Sequence, residues 1–214
     1  MLETRQRILE AARDLFHRHG YHATGVGAIL KAADVNSGSM YHYFKDKEDL
    51  LRAVLEWYIN ALRPAVIEPA ERVASDPIER VFALLANYRL GLEVSGCAIG
   101  CPIGNLALEL GETRPEISRL IDRNMRNWSE AIRGWLDEAG DRLPADLDRA
   151  ELADFILTVM EGGIVQARAA GSLTPFDRSV SQLRSYVDRL VREAKERPQP
   201  VAASRGAAPD PRNG

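Results

Sequence analysis

Residues 38–50 read GSMYHYFKDKEDL, with Tyr41, His42, Tyr43 and Phe44 side by side before a sudden run of charge. The chain is only 7% aromatic, so the cluster is out of proportion. A buried helix needs aromatic rings on one face. Four in a row point all round a helix that turns by about 100° per residue. Met40 and Phe44 are four apart and can face inward together. Ser37, Ser39, Tyr41, His42 and Tyr43 fill the remaining faces. At least one ring must therefore meet solvent or a partner. A tyrosine-rich helix is also a common core or interface element, so the run alone leaves both readings open.

The flanking sequence narrows the choice. Upstream, Ile8, Leu9, Ala12, Leu15 and Phe16 recur at helical spacing and predict a helix from Thr4 to His19. Thr4 is placed to cap its start and Gly20 to take the left-handed position at its end. In ATGVGAILKAADV (residues 23–35), Thr24 is the expected N-cap, and Val26, Ile29 and Leu30 form a short apolar face. Gly25 and Gly27 each weaken this helix by about 1 kcal/mol relative to Ala, so packing must hold it. Asn36 can cap a third helix, Ser37 to Tyr43. Asp46 then caps a longer one, with Asp49 at the capping-box position and Pro64 expected to end it. Three short helices with a tight turn between the second and third outline a helix-turn-helix unit. In that unit the third helix lies in the major groove of DNA. Its hydroxyls and imidazole would meet a sugar-phosphate wall.

At these residues the chain resembles the TetR (tetracycline-repressor) family of bacterial transcriptional regulators. The stretch ILEAARDLFHRHGYHATGVGAILKAADVNSGSMYHYFKDKEDLL, residues 8–51, is similar to that family's DNA-binding domain nearly end to end. The resemblance implies an all-α homodimer. Its N-terminal helix-turn-helix domain would read a palindromic operator in double-stranded DNA. Its larger helical domain would bind a small-molecule effector that releases the DNA. Carried over residue by residue, Thr24 would bond a phosphate beside Gly25. Ser37, Gly38 and Ser39 would open the recognition helix, and Tyr41 would hold a phosphate. His42 and Tyr43 would contact phosphate, sugar or bases, and Lys47 would offer a cation at a helix N-terminus. Two positions depart from the family pattern. Ser37 stands where many relatives carry Lys, and Gly25 where a second Ser or Thr is common. Asp34 replaces a frequent Gly in the turn, which the left-handed tolerance of Asp permits.

Beyond residue 65 the helical pattern continues. Ile78, Val81, Phe82, Leu85, Tyr88 and Leu92 mark one helix. Ile117, Ile121, Met125, Trp128, Ile132 and Trp135 mark another, entered near Pro115. Leu152, Phe155, Ile156, Val159 and Met160 mark a third. Phe176, Val180, Leu183, Val187, Leu190 and Ala194 mark the last at a 3.5-residue repeat, the period of near-parallel helix packing. Such stripes are first of all core. The last two helices also fit a four-helix dimer bundle with two per subunit, as the resemblance implies. The expected layout is a DNA-binding domain over 1–47, a connecting helix over 47–63, a ligand-binding and dimerisation domain over 64–196, and a disordered Pro/Ala/Gly-rich tail over 197–214. The segment SGCAIGCPIGNLALELG, residues 95–111, is apolar and Gly-rich, with Pro102 suited to open a short helix through Leu110. It resembles the corresponding segment in one branch of the family, which includes repressors answering to multidrug-like aromatics and others answering to reactive electrophiles. Asn105 in that apolar helix needs a backbone or ligand partner. The expected effector pocket comprises Tyr88, Cys101, Asn105, Met125, Trp128 and Phe155. An alternative makes Cys97 and Cys101 a thiol-based electrophile or redox sensor. That would need nearby positive charge, and none lies between Val94 and Thr113 in sequence.

The composition, 45% hydrophobic and 28% charged, is that of an ordinary globular chain. Its net charge of −3 excludes bulk coating of nucleic acid, so DNA contact must come from a local patch. Residues 1–45 carry six Lys/Arg against four acids, too small an excess to make that case alone. No apolar run reaches bilayer length and MLETRQRILE lacks a signal-peptide core, so no membrane role and a cytoplasmic location are expected. Two cysteines are too few for a disulfide framework, and at this spacing too few for a zinc site. No Gly-rich phosphate loop or nucleophile elbow occurs. No enzyme activity, catalytic residue, cofactor or metal site is expected. A helical partner-binding protein without a DNA role is the remaining rival, against which Thr24, Tyr41 and Lys47 argue.

Overall fold

The computed structural model describes residues 3–110 and 114–196. The tail expected over 197–214 lies outside them. Among the described residues the regular structure is all helical. Helices α1 (Thr4–His19), α2 (Val26–Ala33) and α3 (Ser37–Tyr43) make the head. Ile8, Leu9, Ala12 and Phe16 bury the inner stripe of α1, and α1 touches both partners. From α2 only Ile29 and Ala33 are buried, so Gly27 inside it is carried by packing on α1, while Gly25 falls at the N-cap and outside the helix.

The helix ends correct three expectations. Glu3, not Thr4, is the N-cap of α1, and it makes no side-chain capping bond. Gly20 ends α1 with positive φ but extended ψ (85°, 165°), so it is not a left-handed helical cap. Gly25 rather than Thr24 caps α2, because the Thr24 hydroxyl is bonded to the end of α1. Asp34 does take the left-handed conformation between α2 and α3 (φ 52°, ψ 54°).

Helix α4 (Lys47–Leu62) starts at Asp46, whose side chain accepts from the Asp49 N–H. The Asp49 carboxylate reaches back to the Lys45 N–H at 3.1 Å, one residue before the N-cap that a capping box would close on. Helix α4 ends at Leu62, ahead of Pro64 as expected, yet the helical path continues. Proline lacks an N–H and crowds the preceding turn. Here Arg63–Ile67 widen into a π-helical turn that absorbs the conflict, and α5 (Glu68–Val73) follows directly.

The larger domain holds α6 (Pro77–Val94), α7 (Pro102–Leu110), α8 (Pro115–Glu138), α9 (Arg149–Ala170) and α10 (Thr174–Glu196). A proline opens α6, α7 and α8, where its missing N–H costs nothing. Helix α9 packs on both α8 and α10, and α8 packs on α4. At the last contact Asn124, only 2% exposed, donates to the carbonyls of Leu55 (3.2 Å) and Leu120 (2.8 Å). One apolar core therefore runs from Ile8 to Leu190 through head and body. Among the described residues no helix is long and apolar enough to cross a membrane.

Candidate nucleic-acid interface and cavities

Helix α3 resolves the aromatic run. Met40 and Phe44 are buried (0% and 3% exposed), while Tyr41 is 57% exposed. His42, Ser37 and Gly38 are exposed, and Ser39 and Tyr43 are half-buried. The His42 and Tyr43 rings meet edge to face at 4.8 Å. Asn36 Oδ1 accepts from both the Ser39 N–H (2.9 Å) and the Ser39 hydroxyl (3.1 Å), which fixes the start of the helix. Arg5 lies over the Phe44 ring at 5.2 Å, and Lys45 is exposed just beyond α3.

Thr24 departs from its expected role. It is 2% exposed, and its hydroxyl donates inward, to Gly20 O at 2.7 Å with Leu15 O at 3.3 Å. A hydroxyl committed to the end of α1 neither caps α2 nor faces a phosphate. Gly25 beside it is exposed. Lys47 is half-buried, with its ammonium 4.2 Å from the centre of the Tyr21 ring. Burial lowers its pKa, partly offset by Glu109, and Arg114 lowers it further.

Lys47 belongs to a junction absent from the sequence reading. Glu109, near the end of α7, accepts from the backbone N–H groups of Tyr21 (2.8 Å) and His22 (2.5 Å) in the loop after α1. A Cβ at Gly20 would fall 2.9 Å from Glu109 Oε2, so a side chain there would force the carboxylate aside. At the other end of α7, the Gly100 carbonyl lies 2.7 Å from His17 Nε2 on α1. The head is thus tied to both ends of one nine-residue helix.

The six expected pocket residues fall into three places. Tyr88 and Trp128 pack at 5.1 Å between centroids and line a small aromatic cavity of about 180 Å³. Burial pushes the Tyr88 hydroxyl well above its usual pKa. Cys101, Asn105 and Met125 line a larger cavity of about 790 Å³ between α7 and α9. Phe155 joins neither: it is 47% exposed and faces Tyr186 at 6.0 Å in a groove along α9 and α10. Leu157 lines the larger cavity, and residues two apart on a helix do not share a face. Phe155 is a correction to the pocket.

Both cysteines are free and buried. Cys97 sits in a turn with φ 59°. Burial first, and then the neighbouring Glu161, push the Cys101 thiol well above its usual pKa. Glu161 itself is raised by burial. His17, Glu109, Glu161 and Arg168 are the site residues the sequence reading missed. A signal existed for Glu161, a lone acid in the apolar stretch from Leu157 to Val165. Glu109 gave none, since its partners are backbone groups 88 and 87 residues away.

These features define a class: a helix-turn-helix head coupled to an all-helical body with internal cavities. Residues 8–54 match the family described as bacterial regulatory proteins, tetR family, and residues 77–183 match the tetracyclin repressor-like C-terminal domain. An uncharacterised HTH-type transcriptional regulator of Mycobacterium tuberculosis (strain H37Rv) is 32% identical over 90% of this chain and 97% of its own. The HTH-type transcriptional repressor DhaR of Mycobacterium sp. (strain GP1) is 26% identical over 81% of this chain and 87% of its own. A crystal structure of the regulatory protein TetR from Rhodobacter sphaeroides superposes with a TM-score of 0.74 at 27% identity, covering 87% of this chain and 96% of that one. The chain belongs to the TetR family of bacterial DNA-binding transcriptional regulators.

Proposed function

We propose that this protein is a homodimeric repressor in the cytoplasm, released from a palindromic operator by a small apolar or aromatic effector. The observation that carries it is the two-sidedness of α3. Met40 and Phe44 anchor it, while Ser37, Gly38, Tyr41 and His42 stay exposed. Ser39, Tyr43 and Lys47 flank that face, and the open backbone at Gly25 admits a phosphate. In a twofold dimer built from α9 and α10, two such helices would sit one turn of B-DNA apart, about 34–36 Å. The exposed Phe155 and its neighbour Tyr186 support those two helices as the dimer face. A relative named as a repressor supports the direction of control.

Helix α7 supplies the coupling. Its first turns line the 790 Å³ cavity, and its last turn holds the head through Glu109. An effector that shifts α7 changes the angle of the head and the spacing of the two recognition helices. Moving an operator from 99% bound to 99% free requires the effector to prefer the released form by about 5.5 kcal/mol. The thiol-sensing alternative is the weaker reading, because burial and Glu161 disfavour the thiolate that such chemistry needs.

Tyr41→Ala tests the interface. It removes an exposed ring, so the fold and dimer should persist while binding to operator duplex weakens in a gel shift. Undiminished binding by a folded dimer would end the assignment of α3.

A further inference from the structure

We propose that the cavity between α7 and α9 selects an effector with a basic nitrogen on an apolar body, and that Glu161 is the residue that recognises it. This rests on the reading of that cavity as the effector site and names its ligand class.

The glycine spacing of the 95–111 segment finds its explanation here. A Cβ at Gly104 would lie 2.5 Å from Glu161 Oε2, and a Cβ at Gly100 would lie 2.9 Å from Asn105 Oδ1. Each glycine keeps open the space in which a polar group sits against the wall. At Gly100 that group is satisfied, since the Asn105 carbonyl oxygen accepts from Arg168 at 3.1 Å. At Gly104 it is not. Glu161 Oε1 is buried without a hydrogen-bond partner. No ion pair reaches Glu161 among the described residues; the Cys101 thiol hydrogen-bonds its carboxyl, and the buried Tyr88 hydroxyl is within electrostatic reach, but no cation is. A desolvated carboxyl without a cation is unfavourable, and a ligand ammonium in the same low-dielectric wall removes that deficit. Arg168 lies two helical turns away, about 10 Å along α9. It is exposed, so an anion gains less from it than a cation gains from Glu161. The apolar part of the lining is Leu108, Met125, Leu157, Ile164 and Val165, which suits an apolar body. The volume of about 790 Å³ lies within the range of small-molecule sites.

The test uses three probes of one shape: 1-naphthylmethylamine, its neutral isostere 1-naphthalenemethanol, and 1-naphthoate. Calorimetric titration of the full chain should give tighter binding of the amine by about tenfold or more, the factor expected for one charge-assisted hydrogen bond. Glu161→Gln should erase that preference and leave the alcohol's affinity unchanged. Gly104→Ala, whose methyl displaces the carboxyl, should reduce amine binding as well. If either variant fails to fold, the ranking of the three probes on the unaltered chain still decides. Equal binding of amine and alcohol, a preference for naphthoate, no binding of any probe, or a preference that survives in Glu161→Gln would overturn the proposal. A gel shift without probe, on duplex that the protein selects from a random pool, is read separately. Failure to select any duplex would overturn the DNA-binding reading and leave the amine result standing.

Discussion

At the residue scale, short polar contacts join the head to the body. Glu109 satisfies two backbone N–H groups that belong to neither helix flanking them. Hydrogen bonds to a charged group contribute about 1.5–3 kcal/mol each. Glu109→Ala should therefore lower the midpoint of thermal unfolding by several degrees. It should also blunt the effect of any bound effector on DNA affinity, read by gel shift with and without ligand. Gly20→Ala should do the same by another route, since φ of 85° strains an L residue and the new methyl meets Glu109. His17 adds a pH dependence. Burial lowers its pKa below 6.5, which the Gly100 carbonyl and Asp14 partly offset and Arg18 and Arg168 reinforce. The unfolded chain then binds more protons near pH 6 than the folded one, so stability falls as pH drops through 6.5 toward the folded value. Melting curves between pH 7.5 and 5 should show a smaller decline for His17→Gln than for the unaltered protein.

At the element scale, the local signals were mostly sufficient. Helices α1, α3 and α7 have the bounds that periodicity, Asn36 and Pro102 predict. The misplaced cap at Thr24 has a spatial cause. A threonine hydroxyl bonds to whichever backbone group is nearest in space, and for Thr24 that is the end of α1. The α-helical run ends at Leu62, ahead of Pro64 as expected, and a π-helical turn then carries the path into α5. Asn36 provides the check on α3. Replacing it with Ala should cost about 1 kcal/mol by loss of the cap. Operator affinity should fall by more than the stability does, because the same cap orients Ser39 and Tyr41. Fluorescence anisotropy on labelled duplex, set beside urea unfolding, separates the two effects.

At the scale of the whole molecule, the proposed twofold assembly sets the spacing of the two reading heads. Phe155→Glu places a charge on the exposed face of α9, where it should split the dimer without unfolding the subunit. Sedimentation should report a monomer, and DNA binding should fall steeply with it. For the intact dimer, the logarithm of the binding constant should decline linearly with that of salt concentration, as neutralised phosphates release counterions. By itself the sequence determined the helical class, the helix-turn-helix head and the bounds of α3, because helix periodicity, caps and turn residues act over a few positions. Only the tertiary structure decided where the six expected pocket residues went. It sent Phe155 to the outside, set Tyr88 and Trp128 in a small cavity adjoining that of Cys101 and Asn105, and brought Glu161 against Gly104 and Glu109 against Tyr21. Those outcomes depend on how whole helices rotate and stack against partners tens of residues away. The pattern within a helix shows that a face is apolar, not which neighbour will cover it.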